Sequence, residues 1–291
     1  MSTHKDKTKN HIVSSQGMRL MTGGQMETVN VSLFGQDPKV QKAVSTAKNV
    51  SVTKAPVLIS GEAGVGKRTL ASFIHQNSNR ESGPLEFVDC SGEDVEVENK
   101  ILGYRDEETG AFNKGVLERA NGGTVVLCNV DGLGETFQKR LHGIFLELDD
   151  YDIDLRIVST TTKNLSKLVG AGRFYRGLYN VISSNSINLI PLRERQDDLL
   201  MLAQKFVTDL SNGEKSFSPE GIQKIQSHYW THNICELRSV IEASIEKAEN
   251  DVLAENEVLI GERRVSAMMS DDDSEGIRLM SLKDAEKLLI K

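Results

Sequence analysis

Pro56-Val-Leu-Ile-Ser-Gly-Glu-Ala-Gly-Val-Gly-Lys-Arg-Thr69 is the stretch that decides the fold. Its first five residues form a short apolar run that stops at Gly61, the pattern of a buried strand. Leu70 to His75 then fits a helix. Between them, Gly61-Glu-Ala-Gly-Val-Gly-Lys67 has the context that a phosphate-binding loop requires. The glycines permit the turn that aims backbone N–H groups at phosphate oxygens. Lys67 adds a cation, and the helix start adds a positive dipole end. The candidate contact residues are Gly61, Glu62, Ala63, Gly64, Val65, Gly66, Lys67, Arg68 and Thr69. Arg68 stands where a strict motif has Ser or Thr, so the usual hydroxyl ligand for Mg²⁺ is missing. Thr69 lies one residue too far to replace it. The alternative is a plain Gly-rich turn from strand to helix.

Further apolar, β-rich runs follow at Leu85–Asp89, Gly123–Cys128, Leu155–Thr160 and Ser186–Ile190. Helical stretches fall between them, Thr136 to Glu147 among them. This alternation predicts an α/β fold with a parallel sheet and helices on both faces. After Pro191 the strands stop, and Gln196–Leu210, Pro219–Ser227 and Cys235–Asn250 read as helices of a small domain. Ser218 before Pro219 is a good N-cap with proline at the first helical position. The expected organisation is a polar tail over 1–30, an α/β core over 31–192 and a helical lid over 193–262. An acidic linker and the start of a C-terminal helix fill 263–291.

The 291 residues carry 35 Lys plus Arg against 42 Asp plus Glu, a net charge of −7. That argues against a nonspecific nucleic-acid binder, whose footprint is basic. No apolar run reaches the ~18–20 residues of a membrane helix, and the amino terminus lacks the apolar core of a secretory signal. Cys90, Cys128 and Cys235 are far apart and form no CxxC pair, so no zinc site or disulfide framework is expected. The expected location is the cytoplasm.

Several longer motifs appear in a fixed order. They are the loop itself, Ile74-His75, Gly83-Pro84, Phe87-Val-Asp-Cys90 and Gly115-Val-Leu-Glu-Arg-Ala-Asn-Gly-Gly-Thr124. Pro191-Leu-Arg-Glu-Arg195 and Trp230-Thr-His-Asn-Ile-Cys-Glu-Leu-Arg238 complete the set. Over about residues 33–262 the chain resembles the AAA+ domain of bacterial enhancer-binding proteins, the activators of sigma-54 RNA polymerase. The resemblance implies a P-loop α/β core, a helical lid and ring assembly. It also implies ATP or ADP as ligand, and it makes a non-hydroxyl residue after the lysine normal.

The departures from that pattern are as informative. The family's second nucleotide strand ends in Asp-Glu, for Mg²⁺ and for the attacking water; here the pair is Cys128-Asn129. A neutral thiol is a poor Mg²⁺ ligand and an amide has no usable basicity. Asp131 is expected on the opposite face of an extended strand. Thr162 stands at the first sensor position. Tyr175 and Val181 stand at the two arginine-finger positions, with Arg176 one residue off, and such a finger is worth ~10³–10⁵ in rate. Cys235 replaces the lid's sensor arginine, leaving Arg238 on a later turn. The sigma-54 contact loop is shortened to Thr109-Gly-Ala-Phe-Asn-Lys114, read as a surface turn between two helices.

The leading reading is therefore a transcription-regulatory protein that binds ATP or another nucleotide, with or without Mg²⁺, and hydrolyses it little or not at all. A receptor for a cyclic dinucleotide, with Arg68 and Arg80 serving an extra phosphate, is an alternative. A weak residual ATPase using Asp131 and a structural assembly module are two more. Self-association from dimer to hexamer, and contact with RNA polymerase or another regulator, are the expected partnerships. Direct DNA binding is not expected of this chain: Ser281–Ile290 resembles the leading helix of the helix-turn-helix that usually follows the linker, which leaves open a fragment or a protein that acts without its own DNA reader.

Overall fold

A computed structural model describes residues 35–260, together with the backbone of 19–22 and 25–28. The acidic linker and the C-terminal helix start lie outside the described residues. Within the expected tail, β1 (Arg19–Thr22) and β2 (Gln25–Thr28) pair antiparallel, with Met21 opposite Met26. This corrects the tail reading for these residues. The strands are only four residues each, too short for alternation to stand out, and Gly23-Gly24 between them is a hairpin signal.

The core begins with α1 (Pro38–Ser51), whose first turn is capped by the Asp37 carboxylate. Then come β3 (Val57–Ser60), α2 (Lys67–Gln76), β4 (Leu85–Asp89) and α3 (Asp94–Leu102). The short strands β5 (Gly103–Arg105) and β6 (Phe112–Lys114) precede α4 (Val116–Arg119) and β7 (Thr124–Cys128). The core closes with α5 (Glu135–Leu146), β8 (Arg156–Thr161), α6 (Leu165–Gly170), α7 (Arg176–Ile182) and β9 (Asn185–Asn188).

Five of these strands form one parallel sheet in the order β4-β7-β8-β3-β9. A parallel sheet in which each strand is followed by helix has two covered faces, and two hydrophobic clusters fill them. Leu58, Val125, Leu127 and Ile157 pack one face against α3, α5 and α7. Val57, Ile59, Val126, Cys128 and Val158 pack the other against α1 and α2. The chain leaves β3, which lies between β8 and the edge strand β9, and returns at the opposite edge in β4. The crevice at the strand ends there is where open α/β folds bind ligands.

The lid comprises α8 (Gln196–Leu210), β10 (Ser216–Phe217), α9 (Pro219–Ser227), α10 (Asn233–Lys247) and β11 (Val252–Leu253). Ser218 caps α9 as its sequence predicts, its hydroxyl accepting from the Gly221 N–H at 3.1 Å. The expectation that strands stop after Pro191 is corrected by β10 and β11, which pair in parallel. Two residues per strand carry no readable periodicity. Trp230, fully buried, centres the lid's own core with Leu199, Leu202, Leu237 and Ile241. Its indole N–H donates to the Ile225 carbonyl at 2.9 Å.

Two buried polar groups tie the sheet to its helices. The guanidinium of Arg156, with no exposed surface, donates to the carbonyls of Ser51 and Val50 at 2.6 Å each. It thereby satisfies the last carbonyls of α1, and burial lowers its pKa to about 10. His75 Nδ1 lies 2.9 Å from Thr124 Oγ1. Burial, helped by Arg156, holds the imidazole below its ordinary 6.5, so it is neutral in the native state.

Replacing Arg156 with Leu leaves two buried carbonyls unpaired. It should lower unfolding stability by roughly 2–4 kcal/mol in a urea titration. For His75 the sign follows from its lowered native pKa: below about pH 6.5 the unfolded chain takes a proton that the native one refuses. Stability is full above that pH and falls as pH drops, and His75→Gln should flatten this acid-side loss in melting curves from pH 7 to about pH 5.

Candidate nucleotide site

The loop between β3 and α2 is held from both sides. Its first N–H, of Gly61, donates to the Thr161 carbonyl on β8 at 3.2 Å. Gly66, at φ 102°, is the N-cap of α2, a left-handed position that favours glycine. Lys67 is buried at 9% exposure, and its Nζ donates to the carbonyls of Gly61 and Glu62 at 2.9 and 2.8 Å. Burial pulls its ammonium below the ordinary value, opposed above all by the charge of Asp131. Thr69 is half-buried in the first turn of α2 and Ala63 is exposed.

The lid grips this loop residue by residue. Arg193 donates to both Glu62 carboxylate oxygens at 2.6 and 2.5 Å, and its guanidinium lies 4.9 Å over the ring of Tyr229. That pairing holds the Glu62 carboxyl below its usual range. Asn233 donates to the Ala63 carbonyl at 2.8 Å and accepts from the Leu192 N–H at 2.7 Å. The Ile234 N–H donates to the Gly64 carbonyl at 3.0 Å, and Arg195 reaches the Val65 carbonyl at 3.4 Å. A Cβ on Gly64, where φ is 72°, would stand 1.9 Å from the His232 carbonyl oxygen.

Next to the loop, the strand ends carry the substituted residues. Cys128 is buried, and burial pushes its thiol up although Arg68 and Lys67 pull it down. Asn129 takes a left-handed conformation, φ 53°, and its amide donates to Asp89 Oδ1 at 3.1 Å. The expectation for Asp131 is corrected. The left-handed Asn129 and the 3-10 turn Val130–Gly132 break the extended alternation. The Asp131 carboxylate instead accepts from the Thr161 hydroxyl at 2.6 Å and pairs with Lys163 Nζ at 3.1 Å. Its charge reaches Lys67.

Thr162 is exposed and lines a cleft of about 390 Å³ together with Ser60, Gly61, Glu62, Lys163 and Asn188. Tyr175 packs on the core, its N–H donating to Gln138 Oε1 at 2.6 Å, while Arg176 is exposed at the start of α7. Cys235 sits in the first turn of α10, its N–H 3.4 Å from the Gly64 carbonyl. The shortened contact loop is a hairpin rather than a simple turn. β5 and β6 pair antiparallel between α3 and α4, leaving Tyr104 and Phe112 exposed.

Arg68 and Arg80, the two cations of the cyclic-dinucleotide reading, do not converge. Arg68 lies at the loop end of α2, its guanidinium 4.6 Å over Phe87. Arg80 follows the other end of that helix and binds Asp154 at 2.5 Å. The sequence reading also passed over Asn233 and Arg193 as contacts. Both lay inside quoted motifs, but nothing in their local pattern shows that they reach back about 130 residues or more to the loop.

The donor set at the strand ends does not suit a divalent cation. Cys128 offers a thiol held protonated, Arg68 offers a cation, and the Asp89 and Asp131 carboxylates are engaged by Asn129, Ser91, Thr161 and Lys163. Among the described residues no cluster of three or more His, Cys, Asp or Glu side chains could hold a metal ion. Among the same residues no helix is long and apolar enough to cross a membrane.

A parallel sheet with a glycine loop at its switch point, gripped by a helical lid, defines a P-loop module of the AAA+ class. The family models match as a sigma-54 interaction domain over residues 33–188 and an AAA+ ATPase lid domain over 193–262. The chain belongs to the sigma-54-dependent transcriptional activator family. It is 32% identical over 239 residues to the nitrogen fixation protein AnfA of Azotobacter vinelandii, covering 76% of this chain and 45% of that one. It is 30% identical over 249 residues to the sigma54-dependent transcriptional regulator SfnR of Pseudomonas fluorescens, covering 79% and 67%. It thus spans about half to two thirds of the length of these curated relatives. Among solved structures, NtrX from Brucella abortus superimposes with a TM-score of 0.69 at 22% identity, over 89% of this chain and 61% of that one. NtrX has also been crystallised in complex with ATP, a structure that matches with a TM-score of 0.67 over 78% of this chain and 56% of that one.

Gly64→Ala should force the His232 carbonyl away and loosen the lid. Expected are a lower melting temperature and faster amide exchange at Ile234 and Cys235, with the exchange of β7 unchanged.

Proposed function

We propose that this chain is a regulatory AAA+ module that binds ATP or ADP at Gly61–Thr69 and hydrolyses it little or not at all. The observation that carries this reading is a contrast across one strand end. The phosphate loop is fully built, with Lys67 in place, while Cys128 and Asn129 beside it supply neither a metal-binding carboxylate nor a base. The complex of NtrX with ATP supports the choice of ligand. The bound nucleotide would serve order and assembly rather than turnover, because Tyr175 and Val181 bring no cation to a neighbour's site.

In the cytoplasm such a module acts on transcription through self-association, or through RNA polymerase or another regulator. The short β5–β6 hairpin is a poor lever for sigma-54 remodelling. One observation favours a second reading, residual hydrolysis: Asp131 places a carboxylate within electrostatic reach of Lys67. Its pairing with Lys163 and Thr161 opposes that role, since the oxygens are already engaged.

The test is calorimetric titration with ATP and ADP, with phosphate release followed on the same sample. Binding with no release above the uncatalysed background is expected, and Lys67→Ala should weaken binding by about 10- to 100-fold. Release that Asp131→Asn abolishes would establish the second reading instead. An absence of binding to either nucleotide would overturn both.

A further inference from the structure

In the reading of this chain as a nucleotide binder, two negatively charged phosphates need countercharge beyond Lys67. A P-loop site ordinarily recruits it as Mg²⁺, held by a hydroxyl after the lysine and a carboxylate at the second strand's end. Here those two positions are Arg68 and Cys128. The geometry brings them together. Arg68 is the second residue of α2, and its guanidinium lies 4.6 Å over the Phe87 ring on β4. Phe87 pairs with Val126 and Asp89 with Cys128, so Phe87 and Cys128 lie two residues apart on the same face of adjacent strands. Both belong to the cluster that packs against α2. The guanidinium thus stacks on the sheet face that carries Cys128, at the positive end of α2, and its charge, like that of Lys67, acts on the Cys128 thiol.

We propose that the guanidinium of Arg68 takes the place of the divalent cation, so that this chain binds nucleoside di- and triphosphates without metal. The inference rests on the proposed nucleotide binding at this loop. A guanidinium carries a permanent charge and a planar fork of donors that matches two phosphate oxygens. Stacking on Phe87 orders it before the ligand arrives, and Arg68 remains exposed. A neutral thiol at Cys128 then fits the site. A carboxylate there would pair with Arg68 and draw it away from the phosphates.

The experiment is calorimetric titration of the full chain with ATP and ADP, once in excess MgCl₂ and once in EDTA. The wild-type chain should bind with the same affinity in both. Arg68→Ala should weaken binding in EDTA by about 10- to 100-fold, with the loss of charge-assisted hydrogen bonds. Arg68→Lys, which keeps the charge but not the fork, should fall between them. Melting curves of both variants without nucleotide check that the fold is retained. Wild-type binding abolished by EDTA would overturn the proposal while leaving nucleotide binding intact. So would equal affinities of wild type and both variants in EDTA. No binding under either condition would overturn the nucleotide reading and this inference with it.

Discussion

The contact on which the rest depends is the joint between lid and phosphate loop. Residues Glu62, Ala63, Gly64 and Val65 each accept a hydrogen bond from the lid, through Arg193, Asn233, Ile234 and Arg195. A glycine-rich loop has little conformational preference of its own. Its shape is set by partners that occupy its carbonyls, and most of those partners come from the second domain. The same lid holds the start of α1, where the Asp198 carboxylate accepts the N–H groups of Gln36 and Asp37. Core and lid are thus tied at the loop and at the amino-terminal edge of the core. The phosphate loop and the lid are joined by direct hydrogen bonds.

At the strand ends the chemistry is inverted relative to what the family pattern implies. Carboxylates are absent from the end of β7, and those nearby are consumed. Asp89 serves Asn129 and Ser91, while Asp131 serves Thr161 and Lys163. The cations remain: Lys67 is buried in the loop and Arg68 stacked beside it. This arrangement is what the proposed binding of anionic phosphates without activation of water rests on. A general base needs an unpaired basic group within hydrogen-bond reach of the water.

Much of the core was legible in the chain. The five strands of the sheet were marked by β-branched or apolar runs, and the structure finds them within one or two residues at Val57–Ser60, Leu85–Asp89, Thr124–Cys128, Arg156–Thr161 and Asn185–Asn188. The strands of two or three residues were not legible. β10, β11 and the β5–β6 hairpin are too short to show a period, and backbone pairing rather than side-chain pattern creates them. α1 was missed because its buried positions, Val40, Ala43, Val44 and Ala47, are small and interleaved with lysines.

The sequence alone determined which chemistry is available. It set glycines at the turn, lysine at its end, a thiol and an amide where two acids are implied, and tyrosine and valine where arginines are implied. Those are statements about residue identity at fixed spacing, and spacing along a strand or loop is local. Only the tertiary structure decided which groups meet. It turned Asp131 back toward Lys67 through a left-handed residue, and it put Arg80 at the far end of α2 from the loop. It also placed Arg68 on Phe87 and brought Arg193 and Asn233 onto the loop. Partners separated by tens to hundreds of residues are chosen by how helices pack on the sheet, and no local pattern records that choice.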